Sequence, residues 1–212
     1  MAKKLKQAVS VDELLKKKFQ ILPFEGKFKK LLGTPGKTGH WFFYGESGHG
    51  KTTLLMQLSK YLTMFDKLEY NTLEEGASLS MQMAVEDNKM WECRKGSFKL
   101  LHKASLEEVK ERLRKRKSAG IVVMDSVQYI FMTKQEFFEL DLEFGQTHLF
   151  IWNSHAEGKT PIGAVAKAIK FHSDQKVFVR GFKATSTSRT SRGKLTEPYI
   201  IWEEGAKDYY EL

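Results

Sequence analysis

The sequence predicts an α/β fold in which a mostly parallel central sheet lies between helices and finishes in an antiparallel C-terminal hairpin. The apolar run at residues 40–44 leads into a glycine-rich loop and then into a segment whose leucines repeat at helical spacing. A second apolar run, at residues 121–124, is followed by an acid, as is typical of a buried parallel strand. Capping-box patterns at residues 105–108 and 133–136 begin helices between the strands.

The other elements follow from the same patterns along the chain. Residues 1–21 are predicted to form a basic arm with a short helix near residues 11–18, and residues 22–212 one domain. Further strands are predicted at residues 68–73, 98–102 and 149–152, and helices at residues 76–87, 105–117, 133–144 and 164–171. The tail changes character, because strands at residues 177–182 and 199–202 are joined by the polar stretch 183–196.

The composition indicates a globular chain in a reducing compartment. With 212 residues, 41% of them hydrophobic, the chain is long and apolar enough for a substantial core. No apolar run approaches the roughly 18 residues that span a bilayer, and no signal peptide is visible, so no membrane association is expected. The single cysteine, Cys93, cannot form an internal disulfide, which favours the cytoplasm.

The net charge of +9 favours a polyanionic partner. The basic residues cluster in the N-terminal arm and at residues 112–117, and clustering favours nucleic acid. The alternative is that these runs are solvated surface charges.

Residues 45–52 match the phosphate-binding pattern G-x-x-x-x-G-K-[ST] at every required position. Glycines let the backbone close around a phosphate, and the amides at the start of the next helix attract the anion. Lys51 adds a charge for the β- and γ-phosphates, and the Thr52 hydroxyl can complete a Mg²⁺ shell. The predicted nucleotide-binding residues are Gly45, Glu46, Ser47, Gly48, His49, Gly50, Lys51, Thr52 and Thr53. His49 occupies a variable position of the motif and is assigned no chemistry of its own.

Polar side chains near the ends of three predicted strands complete a hydrolytic site. Asp125 is a candidate metal ligand, or alternatively a helix N-cap. Glu74 can orient or deprotonate water, or alternatively stabilise a helix N-terminus. Asn153, with His155 close by, can respond to the γ-phosphate, or alternatively cap its strand. The carboxyl ends of parallel strands share an edge of the sheet, so these groups are expected near the loop. The predicted catalytic residues are Lys51, Glu74, Asp125 and Asn153, and the predicted metal ligands are Thr52 and Asp125.

The late polar stretch carries three basic residues of interest, Lys183, Arg189 and Arg192. A charge that stabilises the transferring phosphate must approach from outside the loop, as an arginine finger from a neighbouring subunit does. The alternative is that they are solvated hairpin charges.

These motifs resemble those of the RecA-like ATPase superfamily, and they are most similar to the cores of the RadA/Sms DNA-repair ATPases and the DnaB-type replicative helicases. The likeness extends over about residues 22–204. It is most specific at residues 44–55 and 122–128, while residues 70–75 resemble the segment that carries the catalytic glutamate and residues 150–158 resemble the sensor strand.

The resemblance implies that ATP and Mg²⁺ bind at Lys51 and Thr52, that Asp125 anchors the metal through water, and that Glu74 activates water. It makes Asn153 the better match for the γ-phosphate sensor. It also implies assembly into a ring or filament with ATP at the subunit interfaces. The expected function is therefore an ATPase in DNA recombination, repair or replication, with single-stranded DNA favoured as partner.

Some features depart from the family pattern. The zinc-binding module and the protease-like domain of RadA have no counterpart in these residues, the segment after Asp125 is short, and residues 188–193 replace a family signature. These departures disfavour processive unwinding and suit an accessory protein of a phage or mobile element. The alternative function is an ATP-driven regulator or loader that acts on a protein partner. A small-molecule kinase is disfavoured by the likeness around Glu74 and Asn153.

Overall fold

The computed structural model describes residues 8–190 and 196–211, in which nine strands and eight α-helices follow one another along the chain. The strands are β1 (Gly39–Gly45), β2 (Leu68–Thr72), β3 (Phe98–His102), β4 (Ile121–Asp125), β5 (Leu149–Glu157), β6 (Thr160–Pro161), β7 (Gln175–Arg180), β8 (Lys183–Ser188) and β9 (Tyr199–Ile200). The helices are α1 (Val11–Lys16), α2 (Gly26–Leu32), α3 (Lys51–Leu62), α4 (Leu79–Asp87), α5 (Leu106–Leu113), α6 (Lys134–Phe144), α7 (Ala164–His172) and α8 (Glu203–Tyr210).

Six strands form the parallel part of the sheet, in the order β3-β2-β4-β5-β1-β7. Strands β8 and β9 continue it antiparallel beyond β7, and β6 pairs with the end of β5. The predicted fold class, a mostly parallel sheet with antiparallel strands at its C-terminal end, is therefore confirmed.

Helices cover both faces of the sheet. In β1, Trp41 and Phe43 point into a core that includes residues of α2 and α3, whereas Phe42 and Tyr44 point into a core that includes residues of α5, α6 and α7. Because both faces are buried, β1 and β4 are apolar almost without interruption instead of alternating with polar residues. The carboxyl ends of the parallel strands all lie at one edge, which is where the site is found.

The late hairpin differs from the predicted one. The stretch 183–196 was expected to be a long connection, but its first half is β8, which pairs with β7 along its length. The turn consists of Gly181 and Phe182, with φ angles of 51° and 55°, which is the two-residue geometry that matches the twist of a hairpin. Ala184 and Ser186 point inward and are buried. Because β8 consists mostly of small and polar residues, its alternation of buried and exposed side chains gives little apolar signal, and the segment was predicted to be a loop.

Two helices, α2 and α8, were not predicted. In α2 the buried residues Phe28, Leu31 and Leu32 have helical spacing, so the signal was present among the lysines. In α8 the buried residues are Gly205 and Ala206, which give almost no apolar signal. Both predicted capping boxes are confirmed. In α5 and α6 the side chain of the N-cap residue accepts a hydrogen bond from the backbone amide of the third helical residue, whose side chain accepts one from the N-cap amide.

His40 is a buried imidazole whose two nitrogens both form hydrogen bonds. Its Nδ1 accepts from the indole Nε1 of Trp152 at 3.0 Å, and its Nε2 lies 3.0 Å from Oδ1 of Asp141. An indole N–H only donates, so the neutral ring carries its proton on Nε2 and donates to Asp141. The other Asp141 oxygen lies 3.1 Å from Nε2 of His172. His40, Asp141 and His172 are residue types that ligate metals, but hydrogen bonding already accounts for both nitrogens of His40.

Burial lowers the pKa of His40 from the usual 6.5 to about 4, and the attraction of Asp141 only partly offsets this. The unfolded chain therefore binds the proton first as the pH falls. We expect the full contribution to stability above pH ~6.5 and its loss as the pH falls toward ~4, up to about 3 kcal/mol. Urea unfolding at pH ~7.5 and ~5 measures this. His40→Gln should flatten the pH dependence, whereas the same change at the exposed His102 should not. An unchanged dependence in His40→Gln would contradict the assignment.

Candidate nucleotide site

The predicted phosphate-binding loop connects the carboxyl end of β1 to the first turn of α3. Gly48 and Gly50 have φ angles of 78° and 88°, a backbone region that residues with a Cβ seldom adopt. A Cβ on Gly45 would lie 2.1 Å from the carbonyl oxygen of Val179 in β7, so the close approach of the two strands requires glycine there. The loop is thereby shaped so that the unpaired amides at the start of α3 can bind an anion.

Lys51, the first residue of α3, is buried beneath the loop. Its Nζ donates a hydrogen bond to the Glu46 carbonyl oxygen at 2.7 Å. Desolvation lowers the pKa of Lys51, and the nearby carboxylates of Asp125, Glu74 and Glu46 oppose that shift. The ammonium is therefore held in a partly dry position where added negative charge, such as that of phosphate, favours its protonated form.

A cleft of about 330 Å³ opens beside the loop. Its walls include six residues of the loop and of the first turn of α3, among them Lys51 and Thr52, and the side chains of Glu74, Asn153 and His155. Three of the four predicted catalytic residues therefore line one cleft, and the fourth, Asp125, is bonded to one of them.

Asp125 ends β4 and is almost fully buried, with 5% of its surface exposed. Its Oδ1 accepts from Asn153 Nδ2 and its Oδ2 accepts from the Tyr70 hydroxyl, both at 2.5 Å. Burial raises the pKa of Asp125, and these two hydrogen bonds oppose the rise. Burial and the charge of Asp125 raise the pKa of Tyr70 well above its usual value, so Tyr70 remains a donor. The following peptide bond, to Ser126, is cis.

Glu74 follows β2 and is fixed beside Asp125 through the backbone, because its amide donates to the Asp125 carbonyl oxygen at 3.2 Å. The Glu74 carboxylate oxygen Oε2 lies 2.9 Å from Nε2 of His155 and accepts a hydrogen bond from the Ser126 hydroxyl at 3.3 Å. The Glu74 side chain is 36% exposed and so is accessible to water. The neighbouring Glu75 instead accepts from the Ser80 hydroxyl near the start of α4.

Strand β5 is longer than predicted, so Asn153 and His155 lie within it and not after it. β5 pairs in parallel with β1, with Asn153 opposite Phe43 and His155 opposite Gly45. The Asn153 amide nitrogen is committed to Asp125, and its oxygen accepts from the Ser154 amide at 3.0 Å. Pairing with β1 therefore places both polar side chains beside the loop.

Two loop residues that were predicted to bind nucleotide contact neighbouring segments through their side chains. Glu46 Oε1 accepts from the Gly158 amide at 3.0 Å, and His49 Nδ1 accepts from the Gly181 amide at 2.8 Å. These contacts attach the loop to the end of β5 and to the hairpin turn. Within the described part of the chain, neither Glu46 nor His49 is among the residues that line the cleft.

The late basic residues do not lie together. Lys183 is at the end of β8 that is nearer to the predicted phosphate-binding loop, and its ammonium lies 4.2 Å from the ring centre of Tyr210. Arg189 lies at the opposite end of the sheet, where it donates to the Phe171 carbonyl oxygen at 2.6 Å and lies 3.7 Å from Asp174. Arg192 lies outside the described residues. Within its own chain, Arg189 is therefore remote from the phosphate loop.

The donor set fits a magnesium nucleotide. Thr52 and Asp125 offer a hydroxyl and a carboxylate, and Mg²⁺ takes oxygen ligands, commonly with few from the protein and the rest from water and phosphate. At Gly48 nothing lies within 4 Å of the place that a Cβ would occupy, which leaves room for phosphate oxygens, whereas a Cβ on Gly50 would lie 3.1 Å from the ring of Phe182. When bound, the ion would neutralise charge on the phosphate oxygens.

Two contacts of the site were not predicted from the sequence. Tyr70 lies on buried β2, and a buried tyrosine hydroxyl generally has a hydrogen-bond partner, but the pairing of β2 with β4 that makes Asp125 that partner is not visible in the sequence. The pairing of His155 with Glu74 spans 81 residues, and nothing local in the sequence indicates it.

The fold of this chain is shared with a solved structure. A solved structure of a KaiC-like protein from the hyperthermophilic archaeon Pyrococcus horikoshii OT3 superposes with a TM-score of 0.57, covering 82% of this chain and 87% of that chain at 16% sequence identity. No protein-family model and no curated protein sequence matches the chain. The likeness shows the fold, and it confirms the predicted RecA-like architecture. None of the helices in the described ranges combines the length and apolar character needed to cross a bilayer.

Proposed function

We propose that this chain is a Mg²⁺-dependent ATP hydrolase of the RecA-like type that acts on nucleic acid in the cytoplasm, with single-stranded DNA the favoured partner. The observation that carries the proposal is that Lys51, Glu74 and Asn153, from three separate segments, line one cleft, with Asp125 hydrogen-bonded to Asn153 beside it. A phosphate cradle, a buried carboxylate for the metal and an accessible carboxylate for water are the groups that phosphate-bond hydrolysis needs.

Each residue has a distinct task in this proposal. Lys51 and the amides at the start of α3 bind the β- and γ-phosphates, and Thr52 and Asp125 hold the ion directly or through water. Glu74 accepts a hydrogen bond from the attacking water and takes its proton, while His155 and Ser126 keep the carboxylate in position. Asn153 connects Asp125 to β5, which supports its assignment as the group that responds to loss of the γ-phosphate.

We also propose that the active form is a ring or filament. β7 has six residues at about 3.3 Å each, so roughly 20 Å separate its two ends. Arg189 is at the far end from its own phosphate loop, so it can act as a finger only on a nucleotide of another copy. Before it could do so, its contacts with Phe171 and Asp174 would have to break. Lys183 and Arg192 remain further candidates for this finger.

One observation favours the alternative, an ATP-driven regulator or loader of a protein partner. Helix α1, in the predicted arm of residues 1–21, has no buried residue, and Val11 and Leu15 are 74% and 78% exposed. Apolar side chains on an exposed segment are typical of a surface that another protein covers.

The ATP hydrolysis rate with and without a single-stranded oligonucleotide, across a salt series, separates the two functions. The proposal predicts stimulation by DNA that declines as salt rises, because phosphate contacts release counterions. Mg²⁺-dependent hydrolysis that is indifferent to DNA, with no DNA retention at low salt, would leave the regulator as the function. Absence of Mg²⁺-dependent hydrolysis under all conditions would reject both.

A further inference from the structure

A second, strongly basic concavity lies at the edge of the sheet opposite the nucleotide cleft. This basic groove has a volume of about 540 Å³ and is lined by Lys67, Lys95, Lys99, Arg112 and the run at residues 115–117, with Glu69 as its single carboxylate. Leu68 and Ala119, close to the starts of β2 and β4, also line it. Because β2 and β4 are parallel, the groove is at their amino ends, while Glu74 and Asp125 are at their carboxyl ends.

Most of these cations have no ion-pair partner among the residues that the structure describes. Arg112 is held by Glu69 through two hydrogen bonds of 2.9 and 2.6 Å, which uses the one acid. Lys67 donates weakly, at 3.5 Å, to the carbonyl oxygen of Lys117. The side chains of Lys95, Lys99 and the run at residues 115–117 form no ion pair with any carboxylate in the described parts of the chain. Like charges gathered around one concavity repel one another and create a positive potential that attracts anions.

Helix chemistry explains only part of the groove. The run at residues 115–117 follows the C-terminus of α5, where cations interact favourably with the helix dipole. That argument does not apply to Lys67 before β2, or to Lys95 and Lys99 around the start of β3. Positive side chains from several separate segments therefore meet in the groove. Stabilisation of the end of α5 accounts for only one of these segments.

We propose that the basic groove binds the phosphate backbone of single-stranded DNA. This inference rests on the proposed action on nucleic acid and assigns a place to it. A flexible strand carries a full charge on each successive phosphate and can follow a concave surface. A flat bilayer cannot reach the base of a concavity. No aromatic side chain of the described residues lines the groove, so binding there should be electrostatic, sensitive to salt and indifferent to base sequence.

The groove is separate from the reaction it would serve. β4 contains five residues, so about 16 Å of strand lies between the groove and Asp125. Removing charge from the groove should therefore leave ATP hydrolysis without DNA unchanged. This separation lets the two proposals be tested independently.

The test measures fluorescence anisotropy of a labelled oligothymidylate, without ATP, from about 50 to about 200 mM salt. The groove variant carries Lys95→Gln, Lys115→Gln and Lys117→Gln. Each lysine–phosphate contact contributes about 0.7 to the slope of log affinity against log salt for a single strand, so the slope should fall by about 2, with an affinity loss of about tenfold or more at low salt.

The matched control removes the same charge elsewhere, with Lys27→Gln, Lys29→Gln and Lys134→Gln at exposed positions on α2 and α6. An equal loss in this control, or a wild-type slope in the groove variant, would overturn the proposal. So would a groove-dependent loss seen only with polyglutamate, which would indicate an acidic protein, or only with phosphatidylserine-containing vesicles, which would indicate a membrane.

Two further readouts separate this proposal from the proposed function. The groove variant should keep the wild-type rate of hydrolysis without DNA. Lys51→Ala should keep the wild-type salt slope for DNA while losing hydrolysis. Unchanged DNA binding and normal hydrolysis in the groove variant would reject the groove as the DNA site without contradicting the proposed ATPase function. Groove-dependent DNA binding by a wild type that does not hydrolyse ATP would support the groove and reject the proposed ATPase function.

Discussion

Replacing Lys51 by alanine should reduce ATP hydrolysis by at least about 10²–10³-fold, the loss expected when one preorganised donor to a reacting oxygen is removed. The Lys51 ammonium is already desolvated and positioned by the Glu46 carbonyl oxygen, so it meets phosphate without rearrangement of solvent. Nucleotide affinity should fall as well, because in the proposed site the lysine contacts the phosphates of the bound substrate. Turnover in saturating Mg²⁺ and calorimetric titration with ATP measure the two effects.

Lys60→Ala is a suitable control for this change. Lys60 belongs to the same helix but pairs with Glu92, away from the cleft. It should retain turnover close to that of the wild type, and circular dichroism should show that both variants are folded. Full turnover by Lys51→Ala would refute the assignment of residues 45–52 as the phosphate-binding loop.

The parts of this site that the sequence made predictable are those in which chemistry and local structure coincide. The loop at residues 45–52 needs glycines, a lysine and a hydroxyl at fixed spacing between a strand and a helix, and each is visible in the sequence. Asp125 was visible because it follows an apolar strand, and the parallel sheet then places it at the same edge as the loop. Buried strands, glycine turns and capping boxes are local features, so the fold class was also accessible.

The contacts that tune the site were not accessible, because they depend on which strands become neighbours. β4 lies between β2 and β5, which brings Tyr70 and Asn153 to opposite oxygens of Asp125. The same order brings His155 to Glu74. The basic groove shows the same limit, since the run at residues 115–117 is evident in the sequence but its meeting with Lys67, Lys95 and Lys99 is not. The order of the strands in the sheet thus decides which side chains become the partners of each motif, and these partners fix its position and shift its pKa values.

Glu74→Gln should separate binding of ATP from its hydrolysis. The amide has nearly the shape of the carboxylate but cannot accept a proton from water, and loss of a general base lowers rates by about 10²–10⁴-fold. Binding of ATP should change little, in contrast to Lys51→Ala, because Glu74 faces water and His155 and forms no part of the phosphate loop. Single-turnover hydrolysis together with equilibrium nucleotide binding measures both.

The adjacent Glu75 is the control that this assignment needs. It follows Glu74 in sequence and lines the same cleft, but its carboxylate is turned to Ser80. Glu75→Gln should therefore retain most of the hydrolysis rate, and a large loss there with little loss in Glu74→Gln would make Glu75 the base. The contact with His155 gives a further distinction. If His155 positions Glu74, His155→Ala should lower the rate in the wild type and add little in Glu74→Gln, because residues that act as a unit have non-additive effects.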